Sequence, residues 1–163
     1  MAKNKEEKTN VMRVLEQKKI AYTAHTYPHE EGMAVDGVTV AKSMGFDPVI
    51  VFKTLVARGA SKQYYVFDVP VAENLDLKKA AKAVGEKSIE MIHQKELLPL
   101  TGYVHGGCSP VGMKKLFPTV FHETAENLET MIVSAGKIGY QVELAPHDLA
   151  ALVRAKFADI IVE

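Results

Sequence analysis

The sequence predicts a mixed α/β fold in which a mixed sheet is flanked by helices. Two β-rich runs, Val49–Arg58 and residues 63–71, are separated by a short Gly-Ala-Ser-Lys turn and predict an antiparallel hairpin. Amphipathic helices occur singly among β candidates, without the strict alternation of a doubly wound parallel fold. The length of 163 residues fits one domain, with a flexible tail predicted at residues 1–8 and the folded unit at residues 9–163.

The predicted elements of the first half each follow from a local pattern. They are a helix from Thr9 with the stripe Val11, Val14, Leu15 and Lys18, a strand at Ala21–Tyr27, a helix at Asp36–Gly45, the two hairpin strands, and a helix with Leu77, Ala80, Ala81 and Val84 on one face. Pro28 stops the first strand. Gly45 and Gly85 are typical helix terminators.

The second half predicts three short strands and a closing helix. The strands are Thr119–His122, Met131–Ser134 and Tyr140–Leu144, and the helix has the stripe Leu149, Leu152, Val153 and Lys156. Pro146 near the first position and Asp148 in the first turn favour a helix start at this point.

Composition excludes several classes of protein. The 20 Lys+Arg and 20 Asp+Glu residues cancel, so no overall basic field holds nucleic acid and any RNA contact must use a local patch. A single cysteine excludes an internal disulfide and a thiolate zinc site. The amino terminus is charged, and no apolar run approaches the ~20 residues that span a bilayer. We therefore expect a cytoplasmic protein without cofactor or membrane contact.

Lys53 is the most unusual residue of the hairpin, because it interrupts a strand that is apolar on both faces. Strand alternation places it on the same side as Val51 and Leu55. An edge position or a long stem that reaches water explains such a lysine. The alternative is a cation that points into a pocket, where it holds a phosphate or polarises a carbonyl.

The run Thr101–Gly112 contains four glycines and one proline, which is too much backbone freedom for a regular element. Glycines such as Gly106 and Gly107 let the main chain approach a ligand and present N–H groups to an oxygen. The spacing matches neither the P-loop nor the dinucleotide fingerprint. A structural bulge or tight corner explains the glycine pair equally well.

Three further groups of side chains are candidates for a nucleophile, a metal site and a phosphate-binding patch. Cys108 is a possible nucleophile with His105 or His122 as base, although a free cysteine is more often a small buried hydrophobe. His25 and His29 have metal-ligand spacing only on a helix, and the proline between them argues against a metal site. A lysine group is either a solvated helix face or a phosphate-binding patch: Lys78, Lys79, Lys82 and Lys87, with Lys114 and Lys115 as further members.

Several motifs occur together in a distinctive order. They are VFKTL around Lys53, LDLKKA at residues 75–80, TGY at 101–103 followed by GGCSPVG at 106–112, and AKFADI at 155–160. With them the chain resembles the YbaK/EbsC family of bacterial Cys-tRNA(Pro) deacylases from the first helix to the C-terminus. The resemblance implies a mixed, partly closed β-sheet with flanking helices, related to the editing domain inserted in some prolyl-tRNA synthetases.

The resemblance also implies an activity and a site. The activity is trans-editing, in which cysteine is removed from mischarged Cys-tRNA(Pro), and from Cys-tRNA(Cys) as a further substrate, alongside prolyl-tRNA synthetase. The implied pocket residues are Tyr27, Lys53, Thr54, Gly106 and Ser134. Gln141 stands where some members carry an aspartate, which leaves the role of a carboxylate there open.

Chemistry makes sense of these residue types. Ester cleavage needs an oxyanion site, which the Gly106 and Gly107 amides suit, and Lys53 would hold the adenosine or aminoacyl end. The family mechanism uses the substrate thiol, which forms a cyclic thiolactone. Two alternatives stay open: a water-using deacylase of Ala-tRNA(Pro) or another small misacylated amino acid, and a noncatalytic regulatory protein of the same fold.

Overall fold

The computed structural model describes residues 8–27 and 36–163, so residues 1–7 of the predicted tail, Pro28 and His29 lie outside the described residues. The helices are α1 Asn10–Gln17, α2 Gly37–Ser43, α3 Leu77–Val84, α4 Gln94–Thr101 and α5 Pro146–Val153. The strands are β1 Thr23–Thr26, β2 Phe52–Gly59, β3 Tyr64–Pro70, β4 Ile89–Met91, β5 Thr119–His122, β6 Met131–Ser134, β7 Tyr140–Leu144 and β8 Lys156–Ala158. In the part of the chain that the structure covers, no helix is long and apolar enough to cross a membrane.

The strands form two sheets, and this confirms the predicted mixed α/β class. The larger sheet has the order β4-β2-β3-β5-β8, antiparallel from β4 to β3 and parallel from β3 to β8. The smaller sheet, β1-β7-β6, is antiparallel. A single parallel bridge from Val51 to Ile132 joins the two sheets. The larger sheet is thus partly closed onto the smaller one.

The predicted hairpin is present, but its first strand begins later than expected. Pro48–Ile50 forms a 3-10 turn, because the Asp47 side chain accepts a hydrogen bond from the Val49 amide at 3.0 Å. β2 and β3 then pair with Lys53 opposite Val69. The pairing also places Thr54 opposite a buried acid, Asp68.

The C-terminal helix ends earlier than predicted. α5 stops at Val153, and Arg154 adopts a left-handed conformation with φ 58°, which ends the helix. Lys156 therefore does not continue the helical stripe but starts β8, where it lies opposite Val120 of β5. The prediction of Lys156 on the helix is wrong.

The core lies on both faces of the larger sheet. One cluster packs α1 and α5 against the sheets, through Val11, Leu15, Phe121, Met131 and Leu149 among others. A second cluster lies under α3 and includes Ala80, Ala81, Phe67 and Val69. Leu77, predicted to share the buried face of α3, is instead 41% exposed.

Candidate functional site

A cleft of about 430 Å³ opens where the two sheets part. β4 pairs with β2 only at Ala57–Gly59, so Phe52–Leu55 have a neighbouring strand on their β3 side alone among the described residues. Backbone and side chains of this stretch can therefore face a ligand. The cleft wall includes the six residues considered under the family resemblance, together with Cys108 and His105 of the nucleophile hypothesis; the six are Tyr27, Lys53, Thr54, Gly106, Ser134 and Gln141.

Lys53 is half-buried in this wall rather than extended into bulk water. Desolvation lowers the pKa of its ammonium, and the charges of Asp36 and Glu73 offset part of that effect. Within residues 8–27 and 36–163, Lys53 makes no hydrogen bond or ion pair. The Lys53 ammonium thus lines the cleft without a hydrogen-bond or ion-pair partner among the described residues. This agrees with the alternative in which the lysine points into a pocket.

Of the two predicted backbone donors in the glycine loop, one is already engaged in an internal hydrogen bond. The Gly107 amide donates to the Val104 carbonyl at 3.0 Å and closes a turn in which Gly106 has φ 89°. A Cβ on Gly107 would lie 3.1 Å from the Ile138 nitrogen, so Gly107 is a packing position. The Gly106 amide has no hydrogen-bond partner among the described residues. Gly106 therefore fits the predicted oxyanion role, whereas Gly107 fits a structural role better than the catalytic one we predicted.

The smaller sheet brings the remaining predicted residues to the cleft: Ser134 on β6, Gln141 on β7, and Tyr27 directly after β1. Ser134 pairs with Gln141 across the two strands, and its hydroxyl accepts a hydrogen bond from the Gly136 amide at 3.1 Å. Gln141 is 8% exposed, and its side-chain oxygen has no partner in the described residues. Tyr27 donates its amide to the Gly139 carbonyl at 2.9 Å. The side-chain amide of Gln141 thus lines the cleft at the position where some family members carry an aspartate.

A buried carboxyl behind the cleft was not anticipated. Asp68 is 0% exposed and accepts a hydrogen bond from the Thr54 hydroxyl at 2.5 Å. Burial raises the pKa of Asp68 to about 7, and the Thr54 hydrogen bond opposes this rise. The signal was present in the sequence as an acid within the apolar run of β3, the same kind of anomaly that singled out Lys53.

Cys108 does not have the properties of an activated nucleophile. Burial raises the pKa of the thiol to about 12, and the nearby charge of Asp68 acts in the same direction. His105 lines the cleft but makes no hydrogen bond to Cys108. His122 is absent from the cleft wall, and its Nδ1 accepts a hydrogen bond from the Ile160 amide at 3.3 Å. Neither histidine is placed as a base for the thiol.

The lysines of the predicted phosphate-binding patch differ in their contacts: Lys79 is paired, whereas Lys78, Lys82 and Lys87 are exposed. The Lys79 ammonium lies 3.0 Å from an Asp159 carboxylate oxygen and donates to the Ile161 carbonyl at 2.9 Å, so it stabilises the C-terminal segment. Lys78 and Lys82 are exposed and border a groove of about 370 Å³, together with Lys87. The phosphate-binding prediction is therefore carried by these exposed lysines, and Lys79 is the member whose contacts argue for a structural role.

The two outlying lysines and the histidines also have assigned contacts. Lys114 donates to the Pro99 carbonyl at 3.3 Å, and the Lys115 ammonium lies 6.0 Å from the centre of the Phe117 ring. His25 Nε2 lies 2.8 Å from a Glu143 carboxylate oxygen. No cluster of three or more metal-ligating side chains occurs among residues 8–27 and 36–163.

Known proteins resemble this chain over most of its length. Residues 29–152 match the model of the aminoacyl-tRNA editing domain family. EbsC of Enterococcus faecalis, named as a candidate Cys-tRNA(Pro)/Cys-tRNA(Cys) deacylase, is 46% identical over 161 residues, which covers 98% of either protein. These findings confirm the resemblance that the sequence motifs indicate.

Solved structures show the same fold. A candidate trans-editing enzyme for prolyl-tRNA synthetase superposes with a TM-score of 0.79 at 25% identity, over 94% of this chain and 95% of that one. The hypothetical protein APE2540 superposes with a TM-score of 0.82 at 18% identity, over 93% of this chain and 99% of its own. By its family match and its near-complete likeness to EbsC, the chain belongs to the aminoacyl-tRNA editing domain family.

Proposed function

We propose that this protein is a trans-editing deacylase that removes cysteine from mischarged Cys-tRNA(Pro), with Cys-tRNA(Cys) as a further substrate. The observation that carries the proposal is the cleft, whose lining includes Lys53 and Gly106; the Lys53 ammonium and the Gly106 amide have no hydrogen-bond partner within residues 8–27 and 36–163. It is supported by the 46% identity to EbsC, whose name states both of these substrates.

The chemistry relies on a nucleophile from the substrate. Cys108 stays a neutral thiol because burial raises its pKa to about 12. In the proposed step the cysteinyl sulfur attacks the carbonyl carbon of its own ester, and a carbon–sulfur bond forms as the carbon–oxygen bond to the ribose breaks. The thiol proton passes to the departing ribose oxygen, so the products are a cysteine thiolactone and uncharged tRNA. Holding the two reacting groups together supplies much of the rate.

The protein contributes electrostatic stabilisation to this step. Negative charge grows on the carbonyl oxygen as sulfur attacks, and the Gly106 N–H is a donor already in place for it. The Lys53 ammonium adds a positive charge in a partly desolvated wall, where charges interact more strongly than in water. A substrate without a thiol gains this stabilisation but lacks the nucleophile.

The substrate panel that tests the proposal consists of Cys-tRNA(Pro), Cys-tRNA(Cys), Ala-tRNA(Pro) and Pro-tRNA(Pro), each measured with excess protein. We expect the two cysteinyl substrates to lose their amino acid fastest, because they alone carry a thiol. Faster release of alanine would contradict the thiol mechanism and favour a water-using deacylase. Failure to release any amino acid above the spontaneous rate would favour a regulatory protein.

We also propose that this reaction takes place in the cytoplasm on tRNA delivered by prolyl-tRNA synthetase. Support comes from charge: the chain has zero formal net charge, so attraction to RNA must be local. The exposed Lys78 and Lys82 form the patch that fits phosphate contacts.

Reversal of charge tests this patch. We expect Lys78→Glu/Lys82→Glu to weaken tRNA binding and to reduce the slope of affinity against salt concentration, because two phosphate contacts are lost. The matched control is Lys18→Glu/Lys95→Glu, which alters two exposed lysines outside α3 and keeps the same net charge change. Equal losses in both variants would show only a long-range charge effect. Addition of prolyl-tRNA synthetase should then raise the deacylation rate if it delivers the tRNA.

A further inference from the structure

Asp68 is a buried acid that the mechanism above leaves without a role. It is 0% exposed, its Oδ1 accepts the Thr54 hydroxyl hydrogen bond at 2.5 Å, and its Oδ2 has no partner among the described residues. Thr54 lies between Asp68 and the cleft, since it contacts the carboxyl and also lines the cleft wall. Among the described residues Thr54 is the hydrogen-bond partner of Asp68, and it connects the carboxyl to the cleft.

The described residues around Asp68 offer no compensating charge. β2 contributes the Thr54 hydroxyl, the glycine loop contributes the neutral thiol of Cys108, and β5 places the apolar Phe121 opposite Asp68 in register. No described cation acts on the carboxyl, and burial raises its pKa to about 7. A buried acid with one hydrogen bond and no counter-charge destabilises a fold. Such a residue is expected where function, rather than stability, selects it.

The hydrogen-bonding capacity of Thr54 connects Asp68 to the substrate. A threonine hydroxyl has one proton to donate and two lone pairs to accept. When the ionised Asp68 carboxylate accepts the hydrogen bond from this proton, the hydroxyl can only accept hydrogen bonds from groups in the cleft. When Asp68 is protonated, its own O–H can donate to the Thr54 oxygen instead. The threonine hydroxyl is then able to donate a hydrogen bond to a group in the cleft.

We propose that Asp68 is a positioning residue that fixes the Thr54 hydroxyl as a hydrogen-bond acceptor for a donor group of the aminoacyl end of the substrate. The inference rests on the proposed deacylase function and deepens it. The donor is the α-ammonium or the ribose hydroxyl next to the ester, which share this chemistry. Asp68 itself does not touch the substrate.

A double-mutant cycle tests the proposal through the single-turnover rate of Cys-tRNA(Pro) deacylation. Asp68→Asn keeps the shape but no longer dictates the direction of the hydrogen bond, and we expect the rate at pH 8 to fall about tenfold. In a Thr54→Val background the same change should have no further effect, because Asp68 acts through the hydroxyl. Equal losses in both backgrounds, or an unchanged rate in Asp68→Asn, would overturn the inference.

The pH profile separates a positioning role from a structural one. The substrate thiol ionises as pH rises in every variant, so the readout is the wild-type rate divided by the rate of each variant at the same pH. Relative to Asp68→Asn and to Thr54→Val, the wild-type rate should rise through about pH 7 as Asp68 ionises, whereas relative to Thr54→Ser it should stay constant. A ratio to either of the first two variants that does not change with pH would overturn the inference. If Asp68→Asn fails to fold, the two threonine variants still decide the matter.

Two controls complete the design. The melting temperature of Asp68→Asn at pH 8 should equal or exceed that of the wild type, because a buried charge is removed. A substrate esterified with 3-mercaptopropionate keeps the thiol but lacks the α-ammonium and so distinguishes the donors: it should abolish the Asp68→Asn effect if the ammonium is bound and preserve it if the ribose hydroxyl is bound. Absence of deacylation by the wild type would instead overturn the proposed function, and with it the inference.

Discussion

Replacement of Cys108 by alanine separates a protein nucleophile from a substrate nucleophile. Burial raises the pKa of this thiol to about 12. At pH 7.5 that value leaves roughly 1 thiol in 30,000 ionised, and the thiolate is the reactive form. A deacylase dependent on such a group would lose nearly all its nucleophile to protonation. We therefore expect Cys108→Ala to deacylate Cys-tRNA(Pro) within a few-fold of the wild-type rate.

The assay is single-turnover deacylation at pH 7.5, together with thermal unfolding of each variant. Loss of one buried sulfur should cost about 1 kcal/mol of the free energy of unfolding, which lowers the melting temperature by about 2–4 °C in a chain of this size. A rate change of a few-fold in Cys108→Ala is then explained by altered packing around the cleft. A folded Cys108→Ala variant that is at least 100-fold slower would refute the substrate-thiol mechanism and restore the cysteine as nucleophile.

Three further predictions concern stability and are checked by thermal unfolding. Gly136 has φ 94° and a Cβ there would lie 2.9 Å from a tyrosine ring, so Gly136→Ala should destabilise more than Gly45→Ala, where φ is 78° but no atom lies within 4 Å. The pKa of His122 is lowered by burial, so the unfolded chain binds the proton first as pH falls below 6.5; the stability of the wild type relative to His122→Asn should therefore fall over that range. For Asp68, the rise in pKa from 3.8 to about 7 corresponds to roughly 4 kcal/mol at most. The folded acid holds its proton longer than the unfolded one, so wild-type stability falls as pH rises from 4 to 7, and the advantage of Asp68→Asn should be present at pH 8 and absent below pH 4.

Local patterns predicted most of the fold, and chemistry combined with the family resemblance predicted six residues of the cleft wall. The hairpin could be predicted because alternating and turn-forming residues act within a few positions of one another. Lys53 stood out because a charge in an apolar strand needs a cavity or a partner. Lys53, Gly106 and Ser134 line one cleft because the two sheets pack together, and no local sequence pattern predicts that packing. The family resemblance supplied that long-range step.

The features that escaped prediction are short or depend on tertiary contacts. β4 and β8 have three residues each, too few for a periodic pattern. α4 contains Pro99, which normally indicates a break in a helix. The engaged Gly107 amide depends on the turn that its loop adopts. The hydrogen bond between Thr54 and Asp68 depends on strand register, which sets the pairing of two distant residues.

The most direct test of the central claim is the single-turnover rate of Cys-tRNA(Pro) deacylation by Lys53→Ala. The matched control is Lys42→Ala, which removes an exposed lysine of α2 outside the cleft wall. Since the Lys53 cation is placed in the cleft before the reaction begins, its loss should slow deacylation by about 100-fold or more, with the melting temperature retained and Lys42→Ala close to wild type. A folded Lys53→Ala variant that deacylates Cys-tRNA(Pro) as fast as the wild type would contradict the assignment of this cleft as the editing site.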